Sequence, residues 1–271
     1  MMFEIKDADF MRLANFMLAE YGVNLTKKKH LIDSRLTSVM ATGRFKDFAS
    51  YVDYVTSGKA SVEDMRILVN KLTTNHTYFM RETSHFDFFK DTVLPELEQK
   101  YKNGTKLLSI WSAGCSSGQE PYTLCMLLFD YFGNERSKWD LRILATDISN
   151  HVMSIAKAAA YNEEDIKDLP QEWKEKYMKK TGEIYTFIPE IRKNVIFKEF
   201  NLMNPIRFKI PFDVIFCRNV MIYFEGPTKE AIVRRFYDAS NEDAYLFIGQ
   251  SETLNKEATK YKYVMPAVYK K

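Results

Sequence analysis

Near the start of the chain, Phe10, Leu13, Ala14, Met17, Leu18 and Tyr21 recur three and four residues apart, one stripe of a helix that Gly22 ends. The same period predicts a second helix after Thr26 through KKKHLIDSRLTSVMATG and a third over FASYVDYV. A fourth opens at Ser61, with Asp64 in capping-box spacing, and turns Met65, Leu68, Val69 and Leu72 inward. No strand is predicted before residue 100.

The pattern then changes. KLLSIWSAG, LRILATDIS, FDVIFCRNV and AYLFIGQSE are short unbroken apolar runs, as expected of strands buried on both faces. The helical stretches PYTLCMLLFDYFG, NHVMSIAKAAAY and TKEAIVRRFYDAS alternate with them, which predicts an α/β fold with a doubly wound, mostly parallel sheet. EIYTFIPEIRKNVIFKEFNL reads as one or two strands with a turn, and YKYVMPAVYKK as a final antiparallel edge strand. The expected organisation is a small all-α N-terminal domain over 1–75 and an α/β domain over 76–271, with a small β insertion at about 183–200.

Composition narrows the setting. At 271 residues with 39 basic and 36 acidic side chains, the net charge of +3 is too small for a surface built to grip nucleic acid or an anionic membrane. Cys115, Cys125 and Cys217 fit neither a zinc site nor a disulfide framework, so no metal is expected and a reducing cytoplasm is the expected location. No stretch approaches the roughly 20 apolar residues of a membrane span, and MMFEIKDADF lacks the order of a secretory signal.

In a doubly wound sheet the ligand sits beyond the carboxyl ends of the strands. Here that place is LLSIWSAGCSSGQEPY, where Gly114 and Gly118 permit unusual torsions and Glu120 opens the next helix. Neither G-x-G-x-x-G nor a P-loop lysine is present, which disfavours bound phosphate, and an acid in that place points to a cationic ligand. Asp147, ending ATDIS, stands where a carboxylate can accept from both hydroxyls of a ribose. A nucleoside with a cationic tail and no phosphate describes S-adenosylmethionine better than NAD or ATP. Spacing alone equally supports a first-turn acid stabilised by the helix dipole and a helix-capping aspartate.

TTNHTYFMRE at 73–82, SAGCSSGQEPY at 112–122, ATDIS at 145–149, FNL at 200–202 and FCRNVMIYF at 216–224 occur together and in order. Over nearly the whole chain they resemble the chemoreceptor glutamate methyltransferases of the CheR type. The resemblance implies a helical N-terminal domain acting as docking element and lid, a Rossmann-like S-adenosylmethionine-dependent methyltransferase domain, and the cofactor between them. It implies that Asn75, Thr77 and Arg81 line the cofactor and substrate site and that Gly114, Glu120 and Asp147 hold the cofactor. Asn201, Leu202, Cys217, Arg218 and Asn219 would complete the cofactor wall, with Tyr223 at the reaction centre beside Arg81. Gln119, Met80 and Gln250 depart from the family pattern without removing an essential charge.

A glutamate nucleophile has a reference pKa of about 4.3, so no general base is needed at neutral pH and none of His76, His85 and His151 is assigned a catalytic role. The expected products are a glutamate methyl ester on chemoreceptor cytoplasmic helices and S-adenosylhomocysteine. Lys27, Lys28, Lys29 and Arg35 give the second helix a basic surface expected to dock acidic receptor helices. KKTGEIYTFIPEIRKNVIF has one glycine and a short turn where some relatives bind a receptor's C-terminal pentapeptide, so the chain is expected to work without that tether. The alternatives are a non-catalytic cofactor-binding scaffold and a methyltransferase on another substrate.

Overall fold

The computed structural model describes residues 4–271, so the first three residues of the stretch read for a secretory signal lie outside the described residues. The chain divides into two compact units, one running up to Thr74 and including Tyr223–Lys229, the other holding Asn75–Ile222 and Glu230–Lys271.

The first unit is built from α1 (Asp7–Tyr21), α2 (Lys29–Met40), α3 (Phe48–Thr56) and α4 (Val62–Leu72). Gly22 closes α1 at φ 71°, a left-handed conformation natural to glycine. Asp47 and Ser50 form a reciprocal capping box on α3, and Ser61 accepts the Asp64 N–H at the start of α4. Phe10, Leu13, Met17, Ile32, Leu36 and Leu68 meet in the core these helices share. Helix α2 starts later than its apolar pattern suggests. Asn24 Oδ1 instead accepts the Thr26 N–H and hydroxyl in a side-chain turn, which leaves Lys28 in the position before the first helical residue.

A single cut in the sequence does not capture this unit. Asn24 donates its N–H to the Tyr223 carbonyl at 3.2 Å and its side-chain amide to Glu225 at 2.8 Å, which ties Tyr223–Lys229 to the helices.

The second unit opens on α5 (Thr83–Phe88), a π turn (Phe89–Val93) and α6 (Leu94–Lys100). There follow β1 (Ile110–Ala113), α7 (Gln119–Phe132), β2 (Ile143–Asp147), α8 (Asn150–Ala158), β3 (Ala160–Tyr161), α9 (Gln171–Tyr177), β4 (Met178–Thr181) and β5 (Ile184–Phe187). The chain ends with α10 (Pro189–Lys193), β6 (Val195–Glu199), β7 (Phe212–Cys217), α11 (Gly226–Asp238), β8 (Ser240–Ile248), β9 (Lys262–Met265) and β10 (Val268–Lys270). The main sheet has the order β6-β2-β1-β7-β8-β10-β9, parallel from β6 to β8. Strand β1 is buried throughout and flanked by β2 and β7, so its carboxyl end lies at the switch of strand order where such sheets bind ligands. Phe216 and Phe247, register partners on β7 and β8, stack at 4.3 Å in the core.

Two features correct the sequence-based expectation. The stretch expected to form an insertion at 183–200 is split between two sheets. Strand β5 joins β3 and β4 in a separate three-stranded sheet, whereas β6 pairs with β2 at the edge of the main one. Pro189 opens the short helix that carries the chain from one sheet to the other, so the insertion spans 160–187. The tail forms a hairpin, not one edge strand: β10 lies between β8 and β9, because fully buried Val268 needs cover on both sides.

Candidate active site

The loops after β1, β2 and β7 supply the site. Gly114 has φ 88°, and a Cβ there would lie 2.4 Å from the Val220 side chain, so its glycine is demanded by contact with the loop after β7. Glu120 sits in the first turn of α7, accepts the Ser112 hydroxyl at 2.7 Å and pairs with Arg218 at 3.2 Å. Burial pushes its carboxyl above the usual glutamate range, against the pull of Arg218. Asp147 ends β2 and accepts the backbone N–H groups of Ser116 at 2.8 Å and Ser149 at 2.9 Å, while burial pushes it up as well. The helix-cap alternative for Asp147 is not what forms: Ser149 caps α8 by accepting the Val152 N–H.

The segment before α5 carries Asn75, Thr77 and Arg81. The Asn75 carbonyl accepts the Ser116 hydroxyl at 2.8 Å, and Thr77 is half-buried. Arg81 is half-buried, donates to the His76 carbonyl at 3.0 Å and lies over the Tyr78 ring. Glu82, which the sequence reading passed over, accepts from Arg218, from the Asn219 side-chain amide at 3.1 Å and from the Gln250 N–H at 3.2 Å.

Arg218, expected in the cofactor wall, is 3% exposed in its side chain and bonds Glu82, Glu120 and the Arg81 carbonyl, so it binds the site's acids to one another. Asn219 adopts φ 58°, with its N–H on Glu252. Glu252, also passed over, takes the N–H groups of Gly249, Asn219 and Ile222 and so fixes the loop after β7. Both missed acids stood in the quoted stretches TTNHTYFMRE and AYLFIGQSE, but only long-range contacts reveal what they hold.

Asn201 closes a turn by accepting the Met203 N–H at 2.9 Å, and buried Leu202 gives its carbonyl to Arg235. Cys217 ends β7 fully buried, and burial pushes its thiol and that of Cys115 well up, which leaves neither a nucleophile. Tyr223 belongs to the helical unit, where its hydroxyl donates to the Thr74 carbonyl at 3.3 Å and Lys28 stands 6.0 Å from its ring centre.

Of the basic residues on and before α2, Lys29 is paired with Asp7 at 2.6 Å. Arg35 caps the far end of α4, donating to the Thr73 carbonyl at 2.8 Å and to Lys71 and Thr74. Lys27 and Lys28 are exposed. Among the described residues no group of three or more His, Cys, Asp or Glu side chains is placed to hold a metal, and no helix is long and apolar enough to cross a membrane.

Residues 75–269 match the family described as CheR methyltransferase, SAM binding domain, and residues 8–73 match CheR methyltransferase, all-alpha domain. A chemotaxis protein methyltransferase of Borreliella burgdorferi is 41% identical over 97% of this chain and 94% of its own length. A probable chemotaxis protein methyltransferase of Rhizobium etli is 36% identical over 89% of this chain and 90% of its own. Chemotaxis protein methyltransferase 1 of Pseudomonas aeruginosa is 35% identical, covering 95% and 94%.

Proposed function

The chain belongs to the CheR methyltransferase family and is an S-adenosylmethionine-dependent methyltransferase of chemotaxis, and on that premise we propose that it esterifies glutamate side chains on the cytoplasmic helices of chemoreceptors. The observation that carries this reading is the charge at the carboxyl ends of the strands. Glu82 and Glu120 share the single guanidinium of Arg218, and Asp147 and Glu252 accept only backbone N–H groups. Such a cluster is short of positive charge, and a ligand with an ammonium and a sulfonium but no phosphate fits it. That ligand supplies a methyl group on a positively charged sulfur.

The residues of this chain then have separate tasks. Glu120 takes the ammonium, and Asp147 offers its remaining lone pairs to the ribose hydroxyls. Asn75, Thr77 and Gly114 line the cofactor, with Asn201, Leu202 and Cys217 beyond them. Arg81 has one hydrogen bond through its side chain, so the rest of its fork is open to orient a substrate carboxylate. The nucleophile arrives ionised, which removes the need for a base, and His85 is buried and held neutral by that burial. Positioning can then supply roughly 7 to 11 kcal/mol of the barrier.

Lys27 and Lys28 remain to meet an acidic receptor helix. The β4–β5 hairpin, turning on Gly182, carries no second glycine, which supports action without a receptor-tail tether.

The experiment is transfer of labelled methyl from S-adenosylmethionine to receptor helices. A base-labile label is expected, as from an ester. A base-stable label, or none with an intact product complex, would leave the substrate assignment without foundation.

A further inference from the structure

Arg81 lies between two residues in a conformation that side chains rarely adopt: Met80 has φ 59° and Glu82 φ 57°. Neither is glycine, so the turn persists only because its surroundings over-determine it. Those surroundings converge on Glu82. Its carboxylate accepts from Arg218 Nε and Nη2, from Asn219 Nδ2 and from the Gln250 N–H, and its carbonyl accepts the His85 N–H at 3.0 Å. The same Arg218 nitrogen donates to the Arg81 carbonyl, so the peptide unit between Arg81 and Glu82 is gripped from both ends. By contrast the Arg81 side chain is held only by the segment just before it, through one hydrogen bond to the His76 carbonyl and the Tyr78 ring beneath it, so its direction depends on the turn that sets Arg81 against that segment.

We infer that Glu82 is a positioning residue for methyl transfer: paired with buried Arg218, it holds the left-handed turn that aims Arg81. This rests on the assignment of Arg81 to the substrate carboxylate. Without the Glu82 charge, Arg218 keeps Glu120, but the turn loses its strongest tie and can relax toward ordinary helical torsions, swinging the guanidinium away from the carboxylate. Glu82 itself contacts no reacting atom. Its effect must pass through Arg81.

The test is a double-substitution cycle on the full-length protein, read by kcat with receptor helices and by affinity for S-adenosylhomocysteine. Glu82→Gln is expected to lower kcat at saturating S-adenosylmethionine by about 10²-fold, the scale of an ångström's misplacement, with a much smaller loss of product affinity. Glu82→Asp, keeping the charge on a shorter arm, should recover part of that loss. In an Arg81→Lys background, which lacks the planar fork to be aimed, Glu82→Gln should cost no more than about 2-fold further. An equal loss in both backgrounds, or wild-type kcat in Glu82→Gln, overturns the inference. Should Glu82→Gln fail to bind product, the same cycle is run with Glu82→Asp and judged by the same two outcomes. A wild-type protein that does not methylate receptor helices at all would instead sink the substrate reading on which the inference rests.

Discussion

The Ser116 N–H donates to Asp147 Oδ2 across 2.8 Å, so the carboxylate that ends β2 also clamps the loop that follows β1. One side chain therefore serves the fold and the cofactor together. Asp147→Ala should weaken S-adenosylhomocysteine binding by about 1.5 to 3 kcal/mol through loss of a charged acceptor. It should also lower thermal stability, because the N–H groups of Ser116 and Ser149 lose their acceptor. Calorimetry and a melting curve read the two effects separately, and unchanged product affinity would detach Asp147 from the ribose.

The basic residues around α2 are expected to separate by role. Arg35→Ala should cost about 0.5 to 1.5 kcal/mol of stability by freeing the last carbonyls of α4, with little change in the salt dependence of methylation. Charge reversal at Lys27 and Lys28 should raise the KM for receptor and flatten the fall of rate with salt, leaving stability unaltered. If Arg35→Ala instead reproduced the Lys27 and Lys28 phenotype in a protein of normal stability, its cap would be incidental.

Much of this was legible from sequence where the signal is local. The helical period, the buried strands and the acids Glu120 and Asp147 each declare themselves within a few residues. The placement of β6 was not legible, because VIFKE pairs with a strand some fifty residues earlier and only Pro189 hints that the chain changes sheets. The capping of α4 by Arg35 was not legible because its carbonyl partners lie 36 and 38 residues away. Glu82 was hidden in the same manner, its partner Arg218 standing 136 positions on.

His85 makes stability sensitive to pH. It is fully buried, with Nδ1 3.4 Å from Glu82, and burial first, then the Arg218 charge, lower its pKa from 6.5 to about 4. Below pH 6.5 the unfolded chain takes up a proton that the folded protein refuses, so stability present at pH 7 is lost as pH falls toward the folded value. Between pH 7 and 5 the share of this loss due to His85 should be roughly 2 kcal/mol, read as the difference between wild type and a His85 variant in urea unfolding. His85→Phe, which keeps a ring against Phe247, should flatten that slope; an equal slope in the variant would assign it to other groups.

The β4–β5 hairpin should give no measurable affinity for a pentapeptide matching a receptor's C-terminus. Fluorescence anisotropy with a labelled peptide is sufficient, and saturable binding would show that a single glycine at 182 suffices for the tether.

All three thiols, those of Cys115, Cys125 and Cys217, are buried and resist ionisation. The native chain should thus be nearly silent to maleimide reagents while folded, with no background to engineer away. One cysteine introduced on an exposed face of each unit would carry a dye pair cleanly, making the distance between the helical unit and the catalytic unit an observable as S-adenosylhomocysteine is titrated.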